Sequence, residues 1–386
     1  MRGGDDALLA DVRARLATVP PGAADLGDVV RDAVRRRGVV LGSDALDRLV
    51  HDVRDATLGA GPLQALLDAP GVTDVLVNGP RDVWVDRGDG LEHVPLDLGT
   101  DDDVRALAVH LAAAGGQRLD DASPVVDARL PDGTRLHAVV APVCPRGAVL
   151  SLRVLRPGGL PYAALVAAGV VPPGLGDLLP ALVASRANVL VSGATGTGKT
   201  TLLAALLALA PADERILVVE EARELVPTHP HVLHLLARRP NVEGRGEVTL
   251  ADLVRATLRM RPDRIVLGEC RGAEVRELLT ALNTGHDGGW ATLHANSAAD
   301  VPARLTALGA LAGLEPAAVA AQGAAALDAV VHLRRTAGRR FVAEVGTVGL
   351  ADGALVVSPA LTWDGEGEPV RGPAWEGLVA RVRERV

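Results

Sequence analysis

Apolar positions follow two rhythms along this chain, and the change of rhythm divides it. Over 26–37 and 44–53 apolar residues recur at helical spacing, as in LeuGlyAspValValArgAspAlaValArgArgArg, which predicts a helical lead segment over 1–60. That segment reads either as a docking element or as helices packed on the next domain. From 61 to 155 short apolar runs between turn residues predict strands at 73–79 and 82–87, and a hairpin over 127–139 turned by ProAspGly at 131–133. A helix over 102–114 lies between them, so this stretch reads as a mixed α/β domain.

Proline and glycine at 156–161 and 171–174 mark 156–174 as a linker across which two domains can move. Beyond it, strand-like runs at 187–192, 215–220, 231–236, 264–268 and 290–294 alternate with helical ones such as 249–260 and 273–283. That alternation predicts, over 175–350, a largely parallel sheet with helices on its faces and a ligand at the carboxyl ends of its strands. After 337, GlyArgArgPheValAlaGluValGly and GlyAlaLeuValValSerProAlaLeu read as edge strands or a small appendage, and 351–386 are set apart as a C-terminal appendage.

With 386 residues and 48% apolar composition the chain has room for two domains or more, each with a core. A net charge of −8 argues against a protein that coats nucleic acid. Cys144 and Cys270 are far apart and form no CxxC pair, which fits a reducing cytoplasm. The first residues lack the pattern of a signal peptide, and no run of 18 apolar residues occurs, so any membrane contact is expected to be peripheral.

The chemistry centres on the only lysine in the chain, Lys199, set against 39 arginines. A lysine that survives where arginine is the general cation marks a place that needs a compact ammonium. It lies in Gly193, Ala194, Thr195, Gly196, Thr197, Gly198, Lys199, Thr200, followed by Thr201, between an apolar strand and an apolar helix. In that context backbone N–H groups and the helix dipole surround phosphates, the lysine bridges the β- and γ-oxygens, and Thr200 offers its hydroxyl to Mg²⁺. The expected cofactors are ATP and Mg²⁺.

Two apolar strands end in acids. ArgIleValLeuGlyGlu places Glu269 where a carboxylate can face magnesium and the attacking water, with Gly268 where many such enzymes carry aspartate. IleLeuValValGluGlu, followed by Glu224, makes Glu220 the first choice for a second carboxylate that holds the metal or orients the nucleophile. His286 and His294, in AsnThrGlyHisAspGlyGlyTrpAlaThrLeuHisAlaAsn, are candidates to bond the γ-phosphate. Arg259 and Arg261, with Arg264, either spread transition-state charge, often in a neighbouring subunit, or form an ion-pair cluster with Asp263 and Glu269.

On these stretches the chain resembles the type II/type IV secretion ATPase superfamily, and within it the branch that powers tight-adherence (Flp) pilus assembly, TadA or CpaF-like. The resemblance covers about Gly61 to Arg334 and rests on the phosphate loop, GluGluAlaArgGluLeu at 220–225, AsnValGluGlyArgGly at 241–246, LeuArgMetArgProAspArgIleValLeuGlyGluCysArgGly at 258–272, and the two histidine stretches. It implies a homo-hexamer of RecA-like motor domains with PAS-like front domains, hydrolysing ATP beneath an inner-membrane platform. It assigns Lys199 and Thr200 to phosphate and magnesium, Glu269 and Glu220 to hydrolysis, His286 and His294 to the histidine box, and Arg259 and Arg261 to charge stabilisation, with Arg135 and Arg153 reaching the nucleotide from the front domain. Glu221 stands where the family usually has aspartate, and the tetracysteine zinc element of the general-secretion branch is missing. Three other readings stay open: a related motor for DNA conjugation, a nucleotide-gated scaffold with negligible turnover, and a RecA-type motor on DNA or RNA, which the acidic charge disfavours.

Overall fold

The computed structural model describes residues 26–36, 59–88, 90–154, 159–238, 240, 245–336 and 338–385, which fall into two compact units, Met1–Arg156 and Pro157–Val386. Of the lead segment, the helix Leu26–Arg36 is described, while the helix expected at 44–53 and residues 241–244 lie outside the described residues.

In the first unit, strands β1 (Asp74–Gly79), β2 (Asp82–Asp86), β3 (Leu91–Val94), β4 (Val125–Arg129), β5 (Arg135–Val140) and β6 (Ala148–Arg153) form an antiparallel sheet in the order β3-β2-β1-β6-β5-β4. Period-two alternation puts Val75, Val77, Val83, Val85, Leu136, Ala138, Leu150 and Leu152 on one face. The helix Asp101–Ala114 covers that face with Val104, Ala108 and Leu111, and begins at a capping box between Thr100 and Asp103. ProAspGly turns the β4–β5 hairpin, with Asp132 capping Thr134.

In the second unit, β7 (Val189–Gly193), β8 (Ile216–Glu220), β9 (Val232–Leu236), β10 (Arg264–Cys270), β11 (Trp290–Leu293) and β12 (Ala329–Thr336) are parallel, in the order β12-β7-β11-β10-β8-β9. β7, β8 and β11 are buried along their whole length because helices cover both faces, so their sequences are continuous apolar runs. Alternate residues feed two cores. Val189, Val191, Ile216, Val218 and Val266 meet the helices Leu178–Ala184 and Lys199–Leu207, while Leu190, Val219, Ile265 and Leu267 meet Leu250–Thr257, Glu274–Leu282, Val301–Leu311 and Pro316–Ala326. Each fully buried Val, Leu or Ile contributes about 1.5–3 kcal/mol, so this three-layer arrangement makes a rigid platform for whatever sits at the strand ends.

Two expectations are corrected here. Residues 351–386 are not an appendage. Strand β13 (Arg339–Ala351) pairs antiparallel with β12, β14 (Ala354–Thr362) and β15 (Val370–Arg371) extend the same sheet, and the final helix Trp375–Arg385 buries Trp375, Leu378 and Val382 in the motor core. Nor is 156–174 a linker throughout: Leu165 and Val171 enter that core, Val342 N–H donates to Val170 O at 2.8 Å, and the Tyr162 hydroxyl donates to Gly176 O at 3.0 Å. Pro and Gly there set turns on a packed surface.

Candidate functional site at the carboxyl ends of the strands

The chain leaves β7 at Gly193 and enters the helix at Lys199. A side chain at Gly193 would strike Leu333 O at 2.6 Å and Thr197 Oγ1 at 2.7 Å, so the close approach of β12 requires glycine there. Gly196 and Gly198 turn the loop at φ of 75° and 92°. Thr197 Oγ1 donates to Ala194 O at 2.9 Å and closes it. The following helix buries Leu202 to Leu207 on every side, which fixes its amino end against the loop.

Lys199 turns its ammonium back into this loop, donating to Gly193 O at 3.0 Å and Ala194 O at 2.9 Å. Its Nζ also lies 3.3 Å from His294 Nε2, and the same ring nitrogen lies 3.4 Å from Glu269 Oε1. Three strand ends, those of β7, β11 and β10, thus bring Lys199, His294 and Glu269 together. Burial pulls the Lys199 pKa below its ordinary value, opposed by the carboxylates of Glu269 and Glu224. Burial, then the charges of Lys199, Arg304 and Arg271, lowers that of His294, which keeps the ring neutral near pH 7.

The fit to a polyphosphate is read from the donors. Among the described residues no carbonyl or side chain accepts from the N–H groups of Ala194 to Gly198, while the loop carbonyls of Gly193, Ala194 and Gly196 each have a donor. A loop with free N–H groups and a buried ammonium suits an anion. Thr200 is half-buried in the first helical turn and Thr195 and Thr201 are exposed. For magnesium, no group of three or more His, Cys, Asp or Glu occurs among the described residues. With nucleotide bound, such an ion would be held by phosphate oxygens and water, and the protein groups placed to join them are the half-buried Thr200 hydroxyl beside the loop and the Glu269 carboxylate, 3.4 Å from His294.

Glu220 stands differently from what the sequence implies. It is 4% exposed, Oε1 accepts from the N–H groups of Glu224 at 3.0 Å and Leu225 at 2.9 Å, and Oε2 is buried 3.5 Å from His234 Nδ1. A carboxylate so enclosed folds the 221–225 turn and is not open to a metal in this conformation. Gly268 follows from it, since a Cβ there would sit 2.5 Å from Glu220 Cγ. Glu221 pairs with Arg271 outside the site.

His286, Arg259 and Arg261 lie at the other edge of the sheet. His286 precedes β11, whose neighbour Gly289 donates to Asn188 Oδ1 at the amino end of β7, and four strand residues separate that edge from His294, about 13 Å. Arg259 and Arg261 are exposed before β10 begins beside Ile216. The ion-pair cluster expected there forms with other partners: Arg264 binds Glu214, and Asp263 Oδ2 accepts from Arg215 N–H, while Glu269 is at the far end of its strand. Arg135 and Arg153 face each other in β5 and β6, where Arg153 Nε donates to Asp74 at 3.1 Å.

Three contributors escaped the sequence reading. Arg340 Nε donates to Gly196 O at 2.9 Å, Arg335 lies beside the same glycine, and a buried His332 accepts or donates at Ser192 Oγ, 2.9 Å away, beneath the loop. The signal available for the first two is ArgArgThrAlaGlyArgArg at 334–340, a basic turn whose place beside the loop depends on β12 pairing with β7.

Comparison with known proteins shows the family. Residues 56–348 match the family described as Type II/IV secretion system protein. A Mycobacterium tuberculosis protein with the provisional name of conjugal transfer protein is 54% identical over 304 residues, 77% of this chain and 86% of its own length. A type IV secretion system PtlH homolog of Bordetella bronchiseptica is 35% identical over 271 residues, 63% of this chain and 79% of its own. Among solved structures, the pilus retraction motor PilT with bound ADP aligns over 82% of this chain and 83% of its own, with a TM-score of 0.51 at 21% identity, a likeness of fold.

Proposed function

Because the chain belongs to the Type II/IV secretion system protein family, we propose that it is an Mg²⁺-dependent ATPase that works as a homo-hexamer at the inner face of the plasma membrane and drives pilus assembly or protein secretion. The observation that carries this reading is the Lys199 ammonium, held on two loop carbonyls within 3.3 Å of His294, which in turn stands 3.4 Å from Glu269. The loop N–H groups and Lys199 bind and orient the phosphates, and the magnesium ion, when bound, supplies charge neutralisation at the β- and γ-oxygens. Glu269, at the strand end, orients the attacking water and accepts its proton, and His294 stands between that carboxylate and Lys199 to register loss of the terminal phosphate. Arg259 and Arg261 serve a neighbouring protomer's site in this reading, since their own is a strand length away.

The finer placement is the tight-adherence (Flp) pilus branch, supported by the stretches at 220–225, 241–246 and 258–272. The front domain over 61–155 and the motor unit, which takes in the packed stretch 159–174, are the moving parts, with inner-membrane platform proteins as partners. Among the described residues no helix is long and apolar enough to cross a membrane. A role in conjugation is the second reading, favoured by the name of the Mycobacterium tuberculosis relative.

Steady-state phosphate release from the purified protein, beside Lys199→Ala, tests the proposal. Turnover that disappears with the lysine supports it. Equal background rates in both proteins favour a nucleotide-gated scaffold, and strong salt-sensitive stimulation by single-stranded DNA favours a nucleic-acid motor.

A further inference from the structure

The phosphate loop has a second set of basic neighbours that the mechanism above leaves unused. Strand β12 runs parallel to β7 with Leu333 opposite Gly193, so the residues after Leu333 rise past the end of the sheet beside the loop. The chain turns at Gly338, where φ is 80°, and β13 returns with Arg340 opposite Arg335. Both arginines are exposed on this hairpin and both lie against the loop. Arg340 Nε donates to Gly196 O at 2.9 Å, and a side-chain carbon built at Gly196 would lie 3.7 Å from Arg335 Nη1.

The contact at Gly196 has a consequence set by peptide geometry. The C=O of Gly196 and the N–H of Thr197 belong to one planar trans unit and point in opposite directions. A glycine at φ of 75° has no side chain to resist rotation of that unit. The donor on the carbonyl therefore decides which way the Thr197 N–H faces. Lys199 and the Thr197 hydroxyl hold the carbonyls of Gly193 and Ala194 in the same manner, so Arg340 completes a set in which loop carbonyls are bound by the protein and loop N–H groups are left for an anion.

We infer that Arg340 is a positioning residue for the nucleotide polyphosphate: it locks the Gly196–Thr197 peptide with its N–H turned to the phosphates, while Arg335 adds positive potential beside them. This rests on the reading of the loop as a nucleotide site. Neither arginine enters the core, so substitution leaves the fold intact.

Calorimetric titration of the full chain with ADP and with AMP, which has no β-phosphate, tests the inference. Arg340→Ala is expected to weaken ADP binding about tenfold, the size of one lost charge-assisted hydrogen bond, and to leave AMP binding within about twofold. Arg340→Lys recovers part of the loss, because an ammonium also donates to a carbonyl. Arg335→Ala weakens ADP about threefold at low salt, and the difference vanishes near 0.5 M salt, where charges are screened within a few ångströms. Lys199→Ala is the control. If it abolishes ADP binding while Arg340→Ala binds as the parent does, the inference is overturned and the nucleotide reading stands. If Lys199→Ala itself binds ADP normally, the nucleotide reading fails and takes the inference with it. Equal losses of ADP and AMP binding in Arg340→Ala overturn it as well, since the arginine then only supports the hairpin. Should Arg340→Ala melt early without nucleotide, Arg340→Lys carries the same ADP-against-AMP comparison.

Discussion

The two ends of the parallel strands in the motor unit carry polar clusters of similar make-up and opposite condition. At the amino ends Arg186 and Arg264 share Glu214. Arg186 Nη1 meets Glu214 Oε1 at 2.6 Å, Arg264 pairs with the other oxygen and donates to Val183 O at 2.9 Å, and Arg186 also reaches the carbonyls of Asp263 and Asp287. Of these groups only Arg264 Nη1 is buried without a partner. At the carboxyl ends Lys199, His294 and Glu269 meet at 3.3 and 3.4 Å, longer than strong charge-assisted bonds, and the loop beside them keeps free N–H groups. A network whose capacity is already used ties elements together. At the carboxyl end the buried Lys199 ammonium and the loop N–H groups, which have no acceptor among the described residues, keep interaction free energy for a ligand.

The sharpest way to break this contrast is to truncate each cluster in turn. Lys199→Ala should lower kcat/KM for ATP at least about a hundredfold while urea-unfolding midpoints stay within error, because a preorganised phosphate contact of this kind is worth about 2.7–4 kcal/mol in the reaction. Glu214→Ala should do the reverse, lowering stability by about 3–5 kcal/mol through the unpaired charge left on fully buried Arg264. Activity per folded molecule should change little, and urea titration with parallel phosphate-release assays reads both. If Glu214→Ala proves catalytically dead but stable, the division between the two ends is wrong.

Smaller effects sharpen the carboxyl end. Glu269→Gln should reduce kcat by about a hundredfold with ADP affinity within about twofold, as expected of a general base not needed for binding. Gly268→Ala should cost about 1–3 kcal/mol, the range for overpacking, since its Cβ meets Glu220 Cγ at 2.5 Å. Thermal melts of the nucleotide-free protein measure it. The smallest effect is on acid stability. Burial, then Arg334, lowers the His332 pKa, opposed by the Asn296 backbone and Asp300, with Lys199 adding to the lowering; His294 is lowered by burial, then by Lys199, Arg304 and Arg271. Their folded pKa values lie below the unfolded ones, so the unfolded chain binds more protons near pH 6. Stability is then fully present above the unfolded value and is lost as pH falls through it. Urea midpoints at pH 7.5 and 5.5 should drop less in His332→Gln than in the parent.

Which residues would gather at the site was partly legible from order alone. Lys199, Glu269 and His294 each follow an apolar run, whereas His286, Arg259 and Arg261 each precede one. In a parallel sheet every run points the same way, so residues after the runs share one edge and those before share the other. That rule separates the groups, and grouping them by chemical type alone merged the two edges. Glu220 also follows an apolar run and sits at the right edge, yet it faces into the 221–225 turn, where the N–H groups of Glu224 and Leu225 hold it. Local chemistry gave no sign of that, because the turn closes back on its own strand. Sequence left open whether the stretch after 337 forms edge strands or an appendage for another reason: antiparallel pairing of β13 and β14 at the sheet edge leaves no periodic trace distinct from a free hairpin.

Sequence by itself determined the α/β alternation, the glycines that let the loop turn and β12 approach, the placement of the single lysine, and the carboxylate and imidazole at the strand ends. These follow from short-range sterics and burial, which act within a few residues. Only the tertiary structure decided that Glu220 is enclosed, that Arg264 pairs with Glu214 rather than with Asp263 or Glu269, and that Arg340 holds the Gly196 carbonyl. Each of these depends on strands brought side by side from distant parts of the chain, and the hydrogen-bond partners so created have no counterpart in local sequence.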